Sequence, residues 1–277
     1  MHIHRIAAFT CEGQGGNPAG VVLADQLPSA DTMQQVAAQV GYSETVFSCP
    51  DGHGAWRTRY YSPEAEVAFC GHATIALGAV LGLRFGPGRY PLALSNRHIE
   101  VAAEQQDGAW LSTLRSPPTH SAIASPALLA QALELFDYDR DELDPALPAC
   151  MANGGIDHLI IPLRSRAALA RMHYDLNQGR RFMQDHGIGT IAFLFRESAT
   201  RFQARNAFAI GGVLEDPATG AAAAALAGML RDLGEAELGE IVIMQGVDMG
   251  QPCRIEVSFT AERGAPVNVR GTSALLG

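Results

Sequence analysis

No C-x-x-C pair occurs in these 277 residues, and the five cysteines (Cys11, Cys49, Cys70, Cys150 and Cys253) are odd in number and widely spaced. Such usage suits a reducing compartment and carries no signature of structural zinc. Clustered positive charge is also missing: the formal net charge is −9 and the pI near 5.4. Nucleic acid and anionic membranes both need a basic surface, so neither is expected as a partner. The longest strongly apolar run, around Ala221–Leu230, falls well short of the roughly 18 residues that span a bilayer. The opening MHIHRIAAFTCEGQGG lacks an apolar region followed by a small-residue cleavage site, so a cytoplasmic location is the expectation. GQGGNP puts Pro18 at the third glycine position of a dinucleotide fingerprint and leads into a strand-like segment, so it is not one. Neither G-x-x-x-x-G-K-[ST] nor G-x-S-x-G occurs, which removes the P-loop and the nucleophile elbow. His2 and His4 would share one face of a strand, without an acidic or thiol partner placed by spacing; no metal site is expected.

What is present is an ordinary globular composition, 47% hydrophobic and 18% charged, long enough for one large or two small domains. Strand-like runs recur as HRIAAFT, GVVLAD, TVFSC, WRTRYY, HLIIPL, TIAFLF, RFQARNAF and EIVIM. Helical patterns are predicted over Ala30–Val40, His72–Leu83, Pro126–Phe136, Arg166–Tyr174, Gln178–His186 and Thr219–Leu233. Strands outnumber helices without regular alternation, so the class is α+β. Two of the helices, beginning at His72 and Thr219, are apolar all round and must be buried on every side. The natural solution is a mostly antiparallel sheet curved around each, giving two pseudo-symmetric lobes. Sliding the chain by 146 residues sets Gly41 on Gly187, Phe47 on Phe193, Arg59 on Arg205, Val67 on Val213, Ala76 on Ala222 and Gly82 on Gly228, as an internal repeat does. This ungapped register also sets Cys70 opposite Asp216. The prolines and small polar residues of Arg115–Pro126 read as a linker. The expected division is residues 1–116, with the last strand at about 266–277 returning to them, and residues 117–265.

A helix N-terminus offers unpaired N–H groups and partial positive charge, and so attracts carboxylates and developing oxyanions. Both apolar helices begin in such turns, Cys70-Gly71-His72 and Asp216-Pro217-Ala218-Thr219-Gly220. If the lobes face each other, both ends point into one interlobe cleft suited to a small anionic metabolite. Asp216 could equally be a plain N-cap with Pro217 at N1. Glu44, beside Val46 and Phe47 in GYSETVFS, is a carboxylate among apolar neighbours, where the charged form is disfavoured, as suits a general base.

Four segments, GGNPAGVVL, YSETVF, RYYSPEAEVAFCGHATIA and GGVLEDPATGAAAAAL, together resemble the signatures of the phenazine-biosynthesis PhzF-like family. The resemblance implies the diaminopimelate epimerase-like fold and a cofactor-independent isomerase of the trans-2,3-dihydro-3-hydroxyanthranilate type. It implies Glu44 as the residue that moves the proton, His72 and Asp216 as the other catalytic positions, and Gly71, Thr219 and Gly220 as donors to a substrate carboxylate. Asn17 shapes the site, with Cys70 and Ala221 beside the substrate, and a homodimer is the usual assembly. Ala221 stands where the family usually has serine, and Gln251 and Cys253 depart from its usual G-R-P-S. Two other functions are carried alongside: an amino-acid epimerase or racemase using Cys70, and a non-catalytic small-molecule binding protein. The symmetrical two-thiol mechanism needs a second cysteine, so Cys70 reads first as a small buried residue.

Overall fold

The computed structural model describes residues 1–95, 97–236 and 239–276. Two compact units divide the chain: Met1–Arg115 with Arg270–Gly277, and Ser116–Val269. The first contains β1 (His4–Thr10), β2 (Asn17–Leu23), α1 (Ala30–Val40), β3 (Glu44–Pro50), β4 (Trp56–Tyr61), β5 (Glu66–Val67), α2 (Gly71–Phe85), β6 (Gly88–Ala93), β7 (His98–Gln106) and β8 (Ala109–Arg115). The second contains β9 (His120–Ile123), α3 (Pro126–Phe136), β10 (Cys150–Asn153), β11 (Asp157–Leu163), α4 (Arg166–Ala170), α5 (Leu176–His186), β12 (Thr190–Arg196), β13 (Arg201–Ala207), β14 (Glu215–Asp216), α6 (Gly220–Asp232), β15 (Gly239–Gln245) and β16 (Cys253–Phe259). The last strand, β17 (Asn268–Leu275), returns to pair antiparallel with β1, Ile6 opposite Leu275. Gly277, the end of the strand expected over 266–277, lies outside the described residues.

The α+β reading holds, with sheets that are mostly antiparallel. In each unit one helix has no polar face. Every residue of α2 from His72 to Gly82 is buried, and it packs on β1, β2, β7 and β8. In α6, Ala222 to Arg231 are buried against β9, β10 and β16. Small residues permit this close approach: a Cβ built on Gly78 would come within 2.7 Å of Ser112 and Val101. None of the described helices is long and apolar enough to cross a membrane.

The two units repeat one plan. A helix capped by a left-handed glycine (Gly41 after α1, Gly187 after α5) leads into a strand that pairs parallel with the one before the helix. The next strand pairs antiparallel, with Phe47 opposite Arg59 in one unit and Phe193 opposite Arg205 in the other. So far the 146-residue offset holds. Beyond it the ungapped register is wrong: β5 sets Tyr61 opposite Glu66, whereas β14 sets Ala207 opposite Glu215. The loop before β14, residues 208–214, is three residues longer than its counterpart, residues 62–65. Cys70 and Thr219 are consequently the equivalent N-caps, and Asp216 corresponds to Val67.

Other expectations also need correction. Residues 115–126 are not merely a linker, because β9 lies within them and pairs with β10. The helix expected over Arg166–Tyr174 stops at Ala170, because the Arg205 guanidinium donates to the Ala170 and Met172 carbonyls at 2.8 and 3.1 Å. Strands β5–β10, β14 and β16 escaped the reading, since runs such as HIEVAAEQQ carry few β-branched residues.

Two predictions follow from this packing. Alanine at Gly78 should lower stability by about 1–3 kcal/mol through overpacking, although Ala is the better helix former by about 1 kcal/mol; urea unfolding that shows a more stable Gly78→Ala protein would contradict the packing. His158 is fully buried on β11, its Nδ1 2.7 Å from Thr190 Oγ1. Burial lowers its pKa from 6.5 to about 4, with Asp157 opposing. The unfolded chain therefore binds the extra proton first, and stability should fall as pH drops from 6.5 toward 4. The slope is at most about 1.4 kcal/mol per pH unit. In His158→Gln this component of the pH dependence should vanish from urea-unfolding free energies.

Candidate active site

The chain leaves α1 through Gly41, whose φ of 72° closes the helix. Tyr42 and Ser43 then bring it to Glu44, the first residue of β3, opposite Ala19 of β2. Gly20 admits the crossing, since a Cβ there would lie 2.8 Å from Thr45 Oγ1. Asn17 heads β2 at this same end of the sheet, two residues before Ala19, with its side chain buried. At the start of α2, Cys70 is the N-cap in extended conformation, and its side chain makes no capping hydrogen bond. His72, one residue into the helix beyond Gly71, is only 6% exposed.

His72 links these elements. Its Nε2 stands 3.4 Å from Glu44 Oε2 and 3.4 Å from Ser43 Oγ, and its Nδ1 is 3.3 Å from Cys70 Sγ. With the proton assigned to Nε2, the ring donates toward Glu44 and Ser43 and presents Nδ1 as acceptor to the Cys70 thiol. A carboxylate, an imidazole and a thiol thus meet at the positive end of a buried helix. Such a set can move a proton and hold an anion.

In the second unit, Asp216 ends β14 opposite Asn206. It is not the N-cap of α6; that residue is Thr219, so Pro217 precedes the helix instead of opening it. The Thr219 hydroxyl does not cap the helix either. It receives Asn206 Nδ2 and, at 3.2 Å, Gln245 Nε2, so its own hydrogen goes to Asp216 Oδ2. Gln245 also donates to the Asp216 carbonyl at 2.7 Å and accepts from Thr219 N at 3.3 Å. Gly220 and Ala221 follow as the first residues of α6. Cys253 and Gln251 meet in one contact, Sγ to carbonyl oxygen at 3.2 Å, with Cys253 fully buried.

The residues singled out from sequence therefore fall into two sets: Glu44, Cys70, Gly71 and His72, with Asn17 at the same sheet end, and Asp216, Thr219, Gly220 and Ala221. Sequence reasoning missed Ser43, Asn206 and Gln245. The last two had a signal. Phe202, Ala204 and Asn206 face inward along β13, as do Ile241, Ile243 and Gln245 along β15, so each strand ends its apolar alternation with a buried amide.

A family model described as phenazine biosynthesis-like protein, PhzC-PhzF, matches residues 6–277. A protein of Deinococcus radiodurans named an uncharacterized isomerase is 32% identical over 96% of this chain and 87% of its own. The trans-2,3-dihydro-3-hydroxyanthranilate isomerase of Pseudomonas fluorescens is 31% identical over 98% of this chain and 96% of its own. The crystal structure of the Bacillus anthracis phenazine biosynthesis protein of the PhzF family superposes with a TM-score of 0.88 at 21% identity, covering 99% of this chain and 96% of that one. The signatures from Gly15 to Leu226 thus lie on the fold they imply, and the chain belongs to the PhzC-PhzF, phenazine biosynthesis-like family and is a PhzF-like isomerase.

Proposed function

We propose that this isomerase moves a proton on carbon in a small carboxylate-bearing metabolite, a reaction of the trans-2,3-dihydro-3-hydroxyanthranilate isomerase type, with Glu44 as base and then acid. The observation that carries this reading is the contact between Glu44 and His72 at the N-terminus of α2, within a cluster of largely buried polar side chains. Glu44 is anchored at a strand end and is half-buried, so its carboxylate keeps one position between taking and returning the proton. His72, held between Glu44 and Cys70, orients that carboxylate and adjusts to its change of charge. The amides of Gly71 and His72 at the helix start stabilise the carboxylate and the negative charge that develops beside it. The 277 residues include no lysine, so none of them forms the imine that covalent carbonyl catalysis uses.

Cys70, with Sγ 3.3 Å from a ring nitrogen of His72, favours a second reading, a one-thiol epimerase. The symmetrical two-thiol form has no basis in the repeat, because Thr219 occupies the equivalent of Cys70.

Exchange into D₂O separates the two readings. Incubated with trans-2,3-dihydro-3-hydroxyanthranilate and a panel of small amino and hydroxy carboxylates, the wild-type protein should incorporate deuterium into its substrate. Glu44→Gln should lose on the order of 100-fold or more in rate while keeping its circular dichroism. Exchange undiminished in Glu44→Gln but lost in Cys70→Ala would transfer the role to the thiol.

A further inference from the structure

We infer that Glu44, Cys70 and His72 also form a binding site for a borderline divalent cation, zinc being the representative case, and that the bound ion silences the proton transfer proposed above. One ligand atom from each of the three residues lies within 4.8 Å of the other two. A four-coordinate zinc site, with bonds of about 2.0–2.3 Å, separates its ligand atoms by roughly 3.5 Å. His72 Nε2 is 3.4 Å from Glu44 Oε2 and 3.9 Å from Cys70 Sγ. Cys70 Sγ, now nearer Nδ1 at 3.3 Å, has to turn about its Cα–Cβ bond toward the Nε2 side to complete the triangle.

The donor chemistry narrows the ion. One thiolate, one imidazole and one carboxylate suit zinc, cobalt or ferrous iron, whereas calcium and magnesium require six or more largely oxygen donors. Three protein ligands leave a fourth position for water or for a carboxylate or thiol of a metabolite. On binding, the Cys70 S–H passes its proton to His72 Nδ1, 3.3 Å away, and the Nε2 proton leaves to solvent, so that both Sγ and Nε2 have a lone pair free for the metal. Thiolate and carboxylate then balance the charge of the ion. The positive end of α2 opposes a cation but favours the thiolate that holds it. All three residues sit on regular elements of one unit, β3 and the start of α2, so the geometry does not wait on a flexible loop. The sequence does not display the site, because Glu44 comes 26 positions before Cys70 and C-x-H alone is no ligand spacing. The blocking effect rests on the proposed role of Glu44, since a carboxylate oxygen given to a metal is no longer a base.

Cobalt titration of chelator-stripped protein tests the site whatever the enzyme's activity. One equivalent should produce a thiolate-to-cobalt charge-transfer band with four-coordinate visible absorption, and zinc should displace it. Cys70→Ser should remove the band, Glu44→Gln should keep it while weakening binding on the order of tenfold or more, and Cys11→Ser should change nothing. Absence of the band in folded wild-type protein, or its persistence in Cys70→Ser, overturns the site. If Cys70→Ser does not fold, loss of the band in Cys11→Ser or unchanged affinity in Glu44→Gln does the same. A separate arm measures D₂O exchange with and without zinc. Exchange that continues in protein whose cobalt band has been replaced by zinc refutes the blocking role. Failure of the proposed function itself would show differently, as Glu44-independent exchange in metal-free protein.

Discussion

A helix without a polar face cannot meet water along its length, and this condition governs both units. Burying Ile75, Leu77, Val80 and Leu81 of α2 contributes about 1.5–3 kcal/mol each. That sum rivals the whole net stability of a typical domain, about 5–15 kcal/mol. The surrounding strands must therefore close around α2, and others around α6. Only the helix ends are left for polar chemistry. The four unpaired N–H groups at each start draw polar side chains, and there the structure gathers Cys70 and His72 in one unit and Asp216, Thr219, Asn206 and Gln245 in the other.

The repeat is deepest where its energetics are local. Arg59 donates to Glu66 through two nitrogens, and Arg205 to Glu215 likewise. Hydrogen bonding from Arg59 holds the Glu66 carboxyl below the usual carboxylate range. The Arg205 pair is the more buried, at 13% and 6% side-chain exposure, and its guanidinium also ends α4. A buried, hydrogen-bonded pair is costly to break because one charge is then left without its partner. Both pairs join the second strand of a hairpin to the two-residue strand that launches the buried helix. They fix where each helix starts, although the loops between them differ in length.

That difference changes the chemical comparison between the units. The structural twin of the Cys70 N-cap is a threonine whose hydroxyl is committed to an aspartate, an asparagine and a glutamine. One unit offers thiol, imidazole and carboxylate; the other offers a carboxylate with its hydrogen-bond direction already set. A duplicated scaffold has here been given two chemically unlike helix starts.

How much of this could be read from the residues follows the range of the forces involved. Composition, the two all-apolar helices, the glycine stops at Gly41 and Gly187 and the strands rich in Val, Ile and Phe are local or periodic, and with the motifs around Glu44, His72 and Asp216 they determined class, family and candidate residues. The weakly patterned strands β6–β10 depend on pairing across long separations, which no short window contains. The three-residue shift between the units, the Thr219 cap, the Arg205 stop of α4, and the joining of Glu44 to Cys70 through His72 were decided only by tertiary structure. Each depends on distances between atoms far apart in the chain, and sequence spacing is blind to a contact of a few ångströms until the backbone has closed around its core.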